Sequence, residues 1–309
     1  VEIQPLNLVV DTAVDELDGN FTIGDLSLRE AIFLTSINQG PDTIRFSPTI
    51  NGQIINLQQF GNFVGGQFQV LGELKLTGPV TIIGNGTANT SSDGFFGGRI
   101  FDIGGTPGDN FDVTLQNMTL QGATSGFTLN QQGGFFFFDP AAQPEGGGAI
   151  RWRSSGALTL DNMLIRNNGT LGAHAHGGAL FAKSGNVIIR NSSISGNSTG
   201  FNQNQYGGEG VGGGIYLGTA SLTILNSSIT NNFTQGRTAH GGGIYISNGA
   251  ANIMQSTIAG NRTFGFGSQG AGIYINQGTL LGSHTAIAHN VTQGINGKGG
   301  GIFSLHGAV

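Results

Sequence analysis

Carboxylates near guanidinium groups are the residues of this chain best suited to chemistry. Asp102, Asp109, Asp112, Asp139, Glu145 and Asp161 surround Arg151 and Arg153 in the sequence. Cleaving a polysaccharide needs such paired carboxyl groups, or a carboxylate-bound calcium with a basic partner. Between 162 and 309 the only acidic residue is Glu209, so no carboxylate pair can be built there. A lyase or hydrolase would have to use the 102–161 segment. The competing expectation is that these carboxylates cap turns and solvate loops, and no catalytic residue is assigned. His174, His176 and His240 precede two equivalent Gly steps, where stacking could bring imidazoles together. With no thiolate or carboxylate beside them, neither a metal site nor a cofactor is expected.

Composition narrows what can hold these residues. The chain has 57 Gly, 9% charged residues and no Cys, which rules out disulfides and thiolate chemistry. Glycine without a three-residue period excludes collagen, and regularly placed Ile, Leu and Val exclude disorder. No run approaches the 18 apolar residues of a spanning helix, so no membrane-spanning segment is expected. Of the 17 acidic residues, 16 lie before residue 162, whereas the 12 basic residues divide six and six. Along an elongated molecule one end is therefore acidic and the other mildly basic. Neither part carries a basic cluster suited to phosphates, so nucleic acid is not an expected partner. A chain opening Val1-Glu2-Ile3, without Met, reads as a mature form after signal-peptide removal or as an excised fragment.

Self-similarity decides the architecture. A small-small-apolar step recurs at Ile150, Leu180, Ile215, Ile244, Ile273 and Ile302, with spacings of 30, 35, 29, 29 and 29. In the same register, Ile165, Ile194, Ile229, Ile258 and Ile287 are each followed three positions later by Asn168, Asn197, Asn232, Asn261 and Asn290. Between them lie alternating pairs such as Val187 with Ile189 and Leu222 with Ile224, the period of strands with one buried face. A unit this short cannot bury its own apolar face, so successive units must stack. The expected fold is all-β: a single right-handed parallel β-helix of roughly ten coils, about 50 Å long. The recurrent Asn is expected near the left-handed region at a corner, with its amide bonding from coil to coil.

The expected organisation is an N-terminal strand and capping helix over 1–42, then the β-helix over 43–309 with an insertion at about 124–147. Ser27 with Glu30 forms a capping box. Leu28, Ala31 and Ile32 then face the open end of the solenoid. The segments 169–176, 198–212, 233–240, 262–270 and 291–298 are expected to emerge as loops on one edge.

The run Asp18-Gly19-Asn20-Phe21 to Ser27-Leu28-Arg29-Glu30-Ala31-Ile32, then Asp42-Thr43-Ile44-Arg45-Phe46, resembles the CSLREA motif of secreted bacterial β-helix proteins. The Gly-Gly-Gly-Ile-Tyr and Asn-Ser-Ser-Ile-x-x-Asn repeats are similar to those of the polymorphic outer-membrane-protein family. Together these resemblances imply a β-helix and export, with adhesins and autotransporter passengers among the family members. Where the motif usually has Cys this chain has Leu26, and a Phe21/Leu26 contact is the expected substitute for a disulfide.

The expected function is that of a non-enzymatic extracellular or cell-surface protein, structural or adhesive. The alternative is a polysaccharide-binding or polysaccharide-cleaving β-helix. Val309 aligns with Leu280, inside an unfinished coil, and the strand around Leu6, Leu8 and Val10 is expected to complete the last coil of another copy. Ile302, Phe303, Leu305 and Val309 would form the receiving end of a head-to-tail filament. Surface contacts with glycans or with a host or neighbouring cell are expected from Phe135, Phe136, Phe137 and Phe138, with Phe201 and Tyr206. Phe233, Phe264 and Phe266 are further members of the same strip.

Overall fold

The alternating pairs do become strands, and one repeat shows how. Ile215–Leu217, Ser221–Leu225, Ser228–Thr230 and Phe233–Gln235 follow one another around a coil, and Ile244–Ile246 opens the next. The computed structural model describes all residues except 1–3, 39, 58–61, 65–66, 70, 95–97, 130–135, 139–145, 173–174, 201–209 and 237. Among the described residues, equivalent strands stack into four parallel sheets of nine, eight, six and eight strands, called here the first to fourth in the order of one coil's path from Ser221. Nine rungs at the usual strand spacing give a rod of about 40 Å. Registration is without slip: Ile194 pairs with Ile229, Ile229 with Ile258, and Ile244 with Ile273. Mostly aliphatic columns, interrupted by Ser92 and Gly282, fill the interior, and most of their side chains are fully buried.

The first corner after the second sheet is built from amides. Asn168, Asn197, Asn232 and Asn261 are buried, and each donates Nδ2 to Oδ1 of the next Asn, at 3.0, 2.9, 3.1 and 2.9 Å, ending on Asn290. The backbone N–H of each also donates to the same Oδ1. The left-handed residue is the one before the ladder, namely Asn167, Gly196, Asn231, Gly260 and His289, not the ladder Asn as the sequence had implied. The glycine run lies at the next corner, before the fourth sheet, and packs against the amide ladder. Gly212, at φ +68°, makes the turn, and a Cβ on Gly214 would sit 3.2 Å from Asn232 Nδ2.

The third sheet departs from expectation. The segments 198–212, 233–240, 262–270 and 291–298 open with strands rather than loops, at Ser198–Thr199, Phe233–Gln235, Arg262–Phe264 and Val291–Gln293. A buried column of Thr170, Thr199, Thr234 and Thr263 faces inward. Thr124–Ser125 belongs to this sheet too, so the coil path still holds at the start of the expected insertion. Two antiparallel hairpins stand outside the coils, Asn62–Val64 with Gln67–Gln69 and Phe127–Leu129 with Phe136–Phe138.

The N-terminal end is closed by the helix Leu28–Ile37. Ser27 Oγ accepts from the Glu30 N–H, and Glu30 Oε2 accepts from the Ser27 N–H, each at 3.1 Å. Leu28, Ala31 and Ile32 are buried in the core cluster. Arg29 grips Asp15 through two bonds of 2.7 and 2.8 Å and donates to the carbonyls of Leu71 and Gly72, which pins the helix to the coil beneath. Phe21 stacks on Phe33, ring centres 6.4 Å apart, while Leu26 is buried in the core.

Candidate functional site

The outward column of the fourth sheet gathers the charged and aromatic side chains. Its centre positions run Lys75, Asp102, Arg151, Phe181, Tyr216, Tyr245, Tyr274 and Phe303, each paired with the next. Arg151 donates to both Asp102 oxygens at 2.8 Å, and Arg153 to both at 3.0 Å. Beside them Arg99 bonds Glu73 and the carbonyls of Gly146 and Gly147. Burial by itself would raise the Asp102 pKa. The hydrogen bond and charge of Arg151, with the charges of Arg99 and Arg153, outweigh it and hold the carboxyl below its ordinary value. Burial pulls the Arg99 guanidinium below its ordinary value, against the pull of Glu73. A carboxylate held this way is poorly suited to exchanging protons near neutral pH.

The other sequence-proposed carboxylates are engaged separately. Asp109 accepts from the N–H groups of Gly105 and Thr106, Asp112 from that of Ala157, and Asp161 from the Asn191 amide. Asp109 thus caps its own turn, whereas Asp112 and Asp161 accept from neighbouring rungs, and Asp161 also pairs with Arg190 at 3.1 Å. Asp139 and Glu145 lie outside the described residues.

Further along the column the rings form one stack. Phe181–Tyr216, Tyr216–Tyr245, Tyr245–Tyr274 and Tyr274–Phe303 have centres 5.0, 5.5, 5.0 and 5.6 Å apart and planes within 13° of parallel. His176 lies on Tyr216 and His240 on Tyr274, at 4.8 and 4.5 Å. The rings cover one another's faces along the axis. Burial raises the Tyr274 pKa. The signal for this stack was present in the sequence, as an aromatic one position after the recurrent Ile or Leu. His176 and His240 are not rung neighbours, because Val211 lies between them in the bridging column. His174 lies outside the described residues, among which no group of three or more His, Cys, Asp or Glu is placed to share a metal ion.

The ends are placed differently from the filament expectation. Asn7–Val10 is paired in parallel with Asp42–Phe46 of its own chain, Val10 is fully buried, and Leu8 packs against the core. Leu6 is tied in through its carbonyl and N–H, to Thr43 and Asp42. The strand is thus the first rung of its own solenoid and not a free donor, because it already pairs with Asp42–Phe46 and buries Val10 there. At the other end Ile302 packs on the core, Phe303 ends the ring stack, and Leu305 and Val309 are exposed. Of the Phe135–Phe138 run, Phe136–Phe138 is a hairpin strand outside the coils. Phe135, Phe201 and Tyr206 lie outside the described residues.

Stacked coils with unbroken parallel register match a known family: residues 104–299 fit the model described as right handed beta helix region. The chain belongs to the right-handed β-helix family. Neither the curated proteins nor the solved structures yield a match to it.

Proposed function

We propose that this β-helix is an extracellular structural or adhesive element, a rigid rod that presents a repeated outer surface to glycans or to a neighbouring cell. One observation carries the reading: the repeat places a row of stacked rings on one outer face, with Tyr216, Tyr245 and Phe303 partly exposed, while the described carboxylates around Asp102 are consumed by arginines and turn N–H groups. Tyrosine edges join apolar area to a polar tip, a combination favoured at contact surfaces. The likeness of Ser27 to Ile32 to the CSLREA motif supports export. End-to-end association is favoured by a second observation, the crowding of 16 of 17 acidic residues into the part before residue 162. Incubation of the purified chain with immobilised plant, bacterial and animal polysaccharides tests the main reading. Retention without release of reducing ends or unsaturated sugars is expected. Release that disappears in Asp102→Asn would replace this reading with the polysaccharide-cleaving alternative.

A further inference from the structure

The outer face of the third sheet carries a pocket that the ring stack on the fourth does not share. Thr234 and Thr263 point inward, so Phe233, Gln235, Arg262 and Phe264 stand outward. The rungs are registered so that Phe233 pairs with Arg262 and Gln235 with Phe264. The result is a checkerboard of two rings and two polar groups. The rings meet edge to face, 6.2 Å between centres and 86° between planes. They form two apolar walls at a right angle, unlike the stacked tyrosines whose faces are spent on each other. Asn231 and Gly260 close one side of a cavity of about 380 Å³, near the lower end for small-molecule sites. Gly260 is required there: it sits at φ +67°, and a Cβ would lie 2.5 Å from Asn231 Oδ1.

Among the described residues no acidic side chain lines this pocket. Arg262 is exposed, and after Asp161 the chain offers no acidic residue except Glu209 against six basic ones. Apolar walls suit the C–H faces of a pyranose, amides suit its hydroxyls, and a guanidinium suits a carboxylate or sulfate substituent in bidentate fashion. We infer that Asn231, Phe233, Gln235, Arg262 and Phe264 form a binding site for one anionic sugar unit of an acidic glycan. The site rests on the surface-contact reading above and names its ligand class.

Calorimetric titration of the whole chain with trigalacturonate, a heparin-derived tetrasaccharide and neutral maltotriose tests it. Binding of at least one anionic oligosaccharide is expected, with maltotriose at least about tenfold weaker. Trigalacturonate binding alone would identify the carboxylate as the recognised group, and heparin binding alone the sulfate. Arg262→Gln, an exposed position, should weaken the anionic ligand about tenfold or more with the unfolding midpoint unchanged, and Gln235→Ala should weaken it less. Absence of binding by both anionic probes, equal binding of maltotriose, or unchanged affinity in Arg262→Gln would each overturn the site. The two readings separate on immobilised polysaccharide. If Arg262→Gln is retained like the wild type the pocket fails alone, whereas failure of the wild type to be retained anywhere overturns the parent reading.

Discussion

Asp102 shows how a residue chosen for its chemistry is used by the fold instead. Sequence position alone made it a candidate acid or base beside Arg151 and Arg153, and the structure does bring the three together. What sequence could not supply is the register that sets Asp102 directly across from Arg151 on adjacent strands, saturating both carboxylate oxygens. The depressed pKa has a defined consequence for stability. An acid whose folded pKa lies below its unfolded value, about 4, stabilises the fold fully above that value and loses the contribution as pH falls through the folded one. Asp102→Asn is therefore expected to cost about 3 kcal/mol at neutral pH, since it removes the counter-charge that Arg151 and Arg153 share. The gap from wild type should narrow below about pH 4. Urea unfolding at pH 7 and pH 3 measures it, and a gap independent of pH would contradict the ionised clamp.

At the scale of elements, legibility follows how strongly a column is apolar. The first, second and fourth sheets were readable because Ile, Leu and Val recur at fixed spacing, and the helix because Ser27 and Glu30 stand at capping-box spacing. The third sheet was not. Its inward column is Thr170, Thr199, Thr234 and Thr263, flanked outside by Ser198, Phe233 or Arg262, so neither hydropathy nor alternation marks it as a strand. The two hairpins escaped for another reason: they pair locally and leave the repeat. The Asn spacing marks the corner but not its conformation, since the left-handed turn precedes each buried amide. That difference matters energetically. Asn232 Oδ1 accepts both the backbone N–H and the side-chain amide of Asn197, while its own Nδ2 donates to Asn261 and to the Ile194 carbonyl. Asn232→Ala would leave several buried groups without a partner, at a cost of about 3 kcal/mol. A shift in the denaturant midpoint below the equivalent of about 1 kcal/mol would show that neighbouring groups take up the bonds.

For the whole molecule, sequence order maps onto axial position, because each coil touches only the coils beside it. The thirteen described acidic residues before residue 162 therefore lie toward the end closed by the helix, and Arg262 and Lys298 toward the other. Such a rod has an electrical polarity that no single repeat possesses. The end-to-end association we propose would draw on attraction between the unlike ends of two such rods. The donor-strand route to that contact is closed, since Val10 is buried in its own first coil, so attraction between ends has to come from charge rather than from strand exchange. Charge attraction between exposed groups falls off over about 10 Å at 0.1 M salt and about 3 Å at 1 M. Light scattering across a dilution series is expected to show a mass that rises with concentration at low salt and returns to that of one chain near 1 M. Association that strengthens with salt would point to apolar surface at the contact, and a single-chain mass under all conditions would leave the rod acting alone.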